Sequence, residues 1–311
     1  MTEGRLAPTL DNLAEGAMRL AHEREKRMGY LSELSEALLS SAIEAGGDRS
    51  PRSLLSAIAA LLPACINPPP HDPVMPAHHA ALWRSALHSA DTLDRVGLAL
   101  SLRHTLEGHL GRALTLSDVG DGILPPPERE RVVYVRNPLA DAAYARLSTL
   151  LSSPTVGYRQ SFRELFDDVE NRYADYAVLP IFSDGVTVQS VFSLFYSYGL
   201  RICGISAVDT EDGEILFALV TRGAVLHRPP EYFMFHILPD NGEVPLPLFD
   251  AILPLGASLY RLDPVPLTYD STRFGYRVIA RADDADAFIA LSLYLSLYAP
   301  GYTGYGFYSR V

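Results

Sequence analysis

A chain of 311 residues, with 48% hydrophobic and 20% charged residues, has room for two or three domains, each with its own apolar core. Its formal net charge of −11 argues against a nucleic-acid partner, which would want a basic stripe, and against an anionic membrane surface. Cys65 and Cys203 are too few for a disulfide framework, and neither a basic-then-apolar leader nor a run of about 20 apolar residues is present, so a cytoplasmic protein without a membrane span is expected.

Residues 10–39 have helical period. Leu13, Met18, Leu20, Met28, Leu31, Leu34 and Leu38 would form one apolar seam, with Glu23, Arg24, Glu25 and Lys26 toward water, and Gly46-Gly47-Asp48 closes the element. Ser50-Pro51 introduces a second helix over 53–64, as an N-cap followed by a first-turn proline does. Beyond the stiff loop Pro68-Pro69-Pro70-His71-Asp72-Pro73, residues 79–110 are again helical, with a break expected near Gly97. Residues 1–114 therefore read as an all-α domain.

Gly120, Gly122 and Pro125-Pro126-Pro127 mark 115–130 as a linker. Strands and helices then alternate: strand 131–135, helix 140–151, strand 155–158, and the stretch 161–181, SFRELFDDVENRYADYAVLPI. In that stretch Phe162, Leu165, Phe166 and Val169 share one helix face, and Ser161 with Glu164 forms a capping box. Residues 175–181 run apolar without helical period, as a strand covered on both faces does. A helix at 188–198, a strand at 201–207, the acidic turn 209–213 and a strand at 214–221 complete the segment 131–227, for which this alternation predicts a mostly parallel sheet. After Arg228-Pro229-Pro230, residues 231–311 read strand, helix, strand, strand, helix, strand; that βαββαβ order predicts a ferredoxin-like sandwich.

The stretch 161–181 resembles the segment of prephenate dehydratase in which a helix leads into the strand carrying part of the active site. The similarity continues from the strand before Leu238-Pro239, through Gly256-Ala257-Ser258-Leu259, to Gly306-Phe307-Tyr308-Ser309-Arg310-Val311. It reaches the first domain through Lys26-Arg27-Met28-Gly29-Tyr30-Leu31 and Leu82-Trp83. The chain thus resembles the bacterial chorismate mutase–prephenate dehydratase family, bifunctional proteins of phenylalanine synthesis that end in an ACT regulatory domain. The resemblance implies a multidomain α and α/β protein: a chorismate-mutase-like helical domain (1–114), a single α/β lobe of prephenate dehydratase type (131–227) and a ferredoxin-like ACT domain (231–311).

The positions that carry the family's chemistry are filled differently. Mutase chemistry needs several cations around a dianion. The resemblance aligns its cationic positions on the first helix with Thr9, Lys26 and Ala37, and its polar pair on the last helix with Ala90 and Asp94. Where the family has Thr-Arg-Phe, this chain has Ile215-Leu216-Phe217; where it has Glu-Asn-Ser, Phe182-Ser183-Asp184. The glycine-rich turn after the first strand becomes Val135-Arg136-Asn137-Pro138-Leu139, and a second lobe is missing between Ile205 and Ile215. In the ACT-like part the phenylalanine-binding segments become Val244-Pro245-Leu246 and Asp263-Pro264-Val265-Pro266.

No residue is therefore put forward as catalytic, cofactor-binding or metal-ligating, and no cofactor is expected. His78-His79 with His71 and Asp72 read as a polar loop rather than metal ligands, Arg136-Asn137 as turn residues and Cys203 as a buried small hydrophobe. Val188, Val191, Phe192, Phe195 and Tyr198 read as a helix core face. Tyr294, Tyr298, Tyr302, Tyr305 and Tyr308 suggest an aromatic oligomer interface. The expectation is a non-catalytic family member, as a homodimer or in complex with an active relative. Residual chorismate mutase or prephenate dehydratase activity, and sensing of an aromatic amino acid through the ACT-like domain, are the alternatives.

Overall fold

A computed structural model describes residues 7–45, 50–66, 91–119, 123–211, 213–238, 245–266, 274–299 and 301–311, except for the side chains of 7–14, 62–66 and 196. His71, Asp72, His78, His79, Leu82, Trp83, Ala90, Gly120, Gly122, Pro239 and Val244 lie outside the described residues, as do the side chains of Thr9 and Cys65. The chain is mixed α/β and divides into two compact units, Met1–Leu114 and Thr115–Val311. No described helix is long and apolar enough to cross a membrane.

The first unit contains α1 (Ala7–Glu44), α2 (Pro51–Ile66) and α3 (Thr92–Leu110). Leu31, Leu34 and Leu38 of α1 are buried with Leu54 and Ile58 of α2 and Leu98, Leu102 and Leu106 of α3. The expected seam holds only from Leu31 onward, since Met18, Leu20 and Met28 are exposed. The predicted break at Gly97 does not occur. Helix α3 runs through it, and a Cβ there would lie 2.7 Å from Leu31 Cδ1. That glycine is a site of close helix approach and does not act as a breaker. Asp91 caps the start of α3 by accepting from the Leu93 amide, and Gly111 ends it in the left-handed conformation.

The second unit is built on one sheet. Its elements are β1 (Arg131–Val135), α4 (Pro138–Leu147), β2 (Thr155–Arg159), α5 (Phe162–Glu170), β3 (Tyr176–Ser183), β4 (Val186–Thr187), α6 (Gln189–Tyr198), β5 (Arg201–Asp209) and β6 (Glu214–Thr221). They continue with β7 (Tyr232–Ile237), α7 (Leu246–Ile252), β8 (Ser258–Pro266), β9 (Phe274–Arg281), α8 (Ala285–Tyr298) and β10 (Thr303–Arg310). The strands lie in the order β2-β1-β3-β6-β5-β10-β7-β9-β8, with β4 paired to β3. Within the predicted linker, Leu116 and Val119 are buried and Ile123 bridges Ala224.

The sheet is mixed, which corrects the mostly parallel expectation. Only β1–β2, β1–β3 and β5–β10 are parallel; the other pairs are antiparallel. The physical reason is connection length. A parallel pair needs a crossover of a dozen or more residues, whereas antiparallel strands close through a tight turn. The acidic turn joins β5 directly to β6, closed by the Thr210 amide donating to the Gly213 carbonyl at 2.7 Å. A second hairpin joins β3 to β4 through Asp184 and Gly185, whose φ values of 51° and 73° are the two positive angles of a type I′ turn.

Within β7–β10 the spatial order β10-β7-β9-β8 is antiparallel throughout, and strand alternation divides its two faces. Phe233 stacks on Phe307 with ring centroids 4.2 Å apart, and both meet Phe288 of α8. Tyr232, Met234 and Tyr305 belong instead to the core that holds Phe192 and Phe195 of α6 and the α5 residues Leu165, Phe166 and Val169. The helix core faces expected at 162–169 and 188–198 are therefore those observed. The Ser161 hydroxyl accepts from the Glu164 amide at 3.3 Å, while the Glu164 carboxylate reaches back to the Gln160 amide at 3.2 Å, one residue before the cap.

Candidate functional site

Two positions where the dehydratase resemblance places chemistry face each other. Phe182 on β3 pairs with Leu216 on β6, and Ser183 with Ile215. Phe182 is buried, with 1% of its surface exposed, and its ring is covered by guanidinium groups. Arg261 of β8 sits 4.0 Å from its centroid and Arg277 of β9 5.9 Å away; Arg277 also lies 3.5 Å over Phe192. Guanidinium groups at these separations are attracted to the negative ring faces.

Cross-strand register builds the polar half of this arrangement. His236, Arg277 and Asp263 stand directly opposite one another on β7, β9 and β8. Arg277 is 1% exposed, donates to the Thr187 hydroxyl at 2.7 Å and lies 3.8 Å from Asp263. Arg261 clasps Asp263 through Nε, at 3.0 and 2.8 Å to the two oxygens, and its Nη2 donates to the Gly185 carbonyl at the hairpin turn. The turn and β8 are thus tied together through one side chain.

Beside this network a pocket of about 110 Å³ opens, floored by Phe182, Ile205, Leu216 and Ile279. Its walls are aromatic. Tyr232 and Tyr308 stack with centroids 5.5 Å apart and planes 12° from parallel, and Tyr260 meets Tyr232 edge-on at 5.2 Å. Burial, more than any charge, pushes the Tyr308 hydroxyl far above its ordinary pKa, so it stays neutral. Arg310 and Glu214 sit at the mouth, 3.5 Å apart and 34% and 49% exposed. The pocket lining thus combines apolar side chains, tyrosine rings, the guanidinium groups of Arg261 and Arg310 and the Glu214 carboxyl group.

His236 gives this region a pH dependence. It is 1% exposed; burial first, and the Arg277 charge second, lower its pKa from 6.5 to about 4. The unfolded chain therefore binds a proton that the folded one refuses between these values, and stability falls as the pH drops through that window. The expected slope is about 1.4 kcal/mol per pH unit, flattening below about pH 4. Urea midpoints measured from pH 7 to 4 check it. His236→Asn should remove the slope, and an unchanged slope in that variant would assign it to another group.

The remaining sequence candidates fall as follows. Lys26 and Ala37 are exposed, and Arg27 is the residue that turns to α3, 2.7 Å from Asp94 and 3.3 Å from Asp91. Asp94 is buried, and that burial raises its pKa against the opposing effect of Arg27. Asn137 caps α4 by accepting from the Ala140 amide at 2.9 Å, and Arg136 lies over the Tyr158 ring. Asn137 serves the turn, whereas Arg136 reaches across to β2. Cys203 is buried and its thiol donates to the Leu219 carbonyl at 3.3 Å, consistent with a small hydrophobe.

Of the C-terminal tyrosines, Tyr294, Tyr305 and Tyr308 are 1–3% exposed and packed inside the unit, while Tyr298 and Tyr302 are partly exposed. Arg261, Arg277, Arg310, Tyr232 and Tyr260 were not singled out from sequence. The available signal was an arginine inside an otherwise apolar strand, as in Phe274-Gly275-Tyr276-Arg277-Val278-Ile279, which burial makes costly unless partners surround it.

No protein-family model matches this chain, and no curated protein matches it. Among solved structures it is similar to the prephenate dehydratase from Streptococcus mutans, at 12% identity over 58% of this chain and 98% of that one, with a TM-score of 0.48. It is similar to the prephenate dehydratase in complex with L-Phe from Arthrobacter aurescens, at 14% identity over 58% and 90%, with a TM-score of 0.45. A protein described as GqqA, a novel type of quorum quenching acylase, is similar at 18% identity over 60% and 97%, with a TM-score of 0.44. The chemistry of the site rests on this chain's own residues.

Proposed function

We propose that this chain is a non-catalytic relative of prephenate dehydratase, with a structural or regulatory role linked to phenylalanine biosynthesis. The observation that carries the reading is the pairing of Phe182 with Leu216, beside Ile215. Where the resemblance expects an acid, a guanidinium and a hydroxyl, the chain supplies three apolar side chains. Loss of water and carboxylate from prephenate needs a group to protonate the leaving hydroxyl and cations to hold two carboxylates, and the three side chains that stand at the family's catalytic positions, Phe182, Ile215 and Leu216, supply neither. Direct joining of β5 to β6 removes the place of a second lobe. A homodimer, or a complex with an active relative, goes with this role.

Assays of the purified protein with chorismate and with prephenate test the reading. No turnover above the uncatalysed rate is expected with either, and turnover with either would overturn it. Ligand sensing by the β7–β10 part is a second reading, favoured by the pocket between the Phe182–Leu216 pair and Tyr232, Tyr260 and Tyr308.

A further inference from the structure

We propose that the outer edge of β2 is an interface between two copies of this chain, paired antiparallel about Gly157. The proposal gives a surface to the homodimer of the functional reading above and rests on that part of it alone.

Strand β2 ends the sheet on one side and is paired along one edge to β1. The Thr155 amide donates to the Glu130 carbonyl at 2.9 Å. By strand alternation Thr155, Gly157 and Arg159 then turn their backbone groups to β1, while Val156 and Tyr158 turn theirs outward. The Arg159 guanidinium donates to the Tyr158 carbonyl at 2.7 Å on that outward side. The Val156 and Tyr158 residues are 39% and 47% exposed. Outward donors and acceptors beside exposed strand-forming side chains are a template for a further strand. The opposite end of the sheet differs, because Pro264 and Pro266 of β8 have no amide to offer there.

The residues of this edge fit a second copy. With a two-fold axis at Gly157, Val156 of one copy stands opposite Tyr158 of the other, and the two exchange both of their backbone hydrogen bonds. A β-branched residue facing an aromatic one stabilises such a ladder. At the axis Gly157 meets its own image, in a pair whose Cα atoms approach to about 4.5 Å. The missing side chain leaves room for Arg159, whose Nη1 would lie 3.5 Å from a Cβ there. Asp168, 2.5 Å from Arg159, balances its charge, so no unpaired cation is carried to the axis. Charge also fixes the direction. Arg136, with 66% of its side chain exposed, lies over Tyr158 at one end of β2, and the Glu130 carboxylate holds the Ser152 and Ser153 amides at the other. Antiparallel pairing turns Arg136 of each copy toward Glu130 of the other, whereas parallel pairing sets like charges together.

Sedimentation velocity of the full chain over about 1–200 µM tests this, since a five-residue strand pair falls well below the roughly 800 Å² per partner of a standard interface and should give a weak, concentration-dependent dimer. Val156→Pro removes an outward donor where proline is tolerated, and Val156→Lys puts a charge on the edge. Each should weaken the dimer at least tenfold with little change in melting temperature. Gly157→Cys should cross-link copy to copy under mild oxidation, because the axial pair lies within disulfide reach. The parent chain, with Cys65 and Cys203, should not. A chain that stays monomeric at the highest concentration, a dimer that survives in both Val156 variants, or a dimer without the Gly157→Cys cross-link overturns the proposal. If Val156→Pro fails to fold, Val156→Lys and the cross-link decide. Chorismate and prephenate turnover on the same preparation reads catalysis separately. Turnover with an edge-dependent dimer refutes the non-catalytic role and leaves the interface standing; no turnover and no dimer refutes the interface alone.

Discussion

Gly306→Ala is expected to lower the stability of the 115–311 unit by about 4 kcal/mol. Gly306 lies in β10 with φ of 139°, where L side chains are strained, and a Cβ would overlap the Ile202 carbonyl oxygen and approach its nitrogen to 2.9 Å. Backbone cannot swing aside as a long side chain can. Overpacking and forced backbone strain each cost about 1–3 kcal/mol, and here they coincide. The position also matters topologically. Strand β10 pairs with β5 on one side and β7 on the other, so it joins the first five strands of the sheet to the last three. For a unit of this size the melting temperature should fall by about 8–16 °C. A fall of less than about 3 °C would mean that β10 and β5 can separate at little cost, and that the sheet is not one cooperative body.

Arg277→Ala should cost about 3–5 kcal/mol, the usual result of removing one member of a buried charged pair. It deletes the donor to Thr187, the cation over Phe192 and the volume between them. Arg277→Met should cost about half as much, because it keeps the volume and removes a buried charge, while Asp263 remains clasped by Arg261. Urea unfolding of the two variants side by side measures the difference. Equal losses would show that the guanidinium charge, and not its bulk, holds this region. Either variant should also raise the His236 pKa, since the Arg277 charge is the second cause of its depression. Proton NMR of the imidazole reads that change directly.

These two positions show what a single chain's residues disclose and what they conceal. Gly306 is one of 22 glycines, and nothing in its neighbourhood distinguishes it from a flexible turn. Its role depends on Ile202, a hundred residues away along the chain but in contact across β5 and β10. At Gly97 local propensity suggested a break, whereas the helix continues and the missing Cβ leaves room for Leu31. Arg277 was visible as a charge in an apolar strand, yet its partners His236 and Asp263 become neighbours only through strand register.

Elements whose stability is local were legible. Helix α5, with its Ser161 cap and its buried Leu165, Phe166 and Val169, the run of β3 and the βαββαβ order of 231–311 follow from periodicity, capping and turn residues within a few positions of each other. Strand direction did not follow from these signals. Alternating helices and strands suit a parallel sheet, but the tight turn between β5 and β6 reverses the chain, and only its pairing with β3 places β6 inside the sheet. The site belongs to the same class of outcome. The apolar replacements at Phe182 and Leu216 are plain in the residues themselves. That they form the floor of a pocket walled by tyrosines and rimmed by Arg310 is decided by β10 lying between β5 and β7, because pairing across that junction brings the two halves of the sheet within side-chain reach.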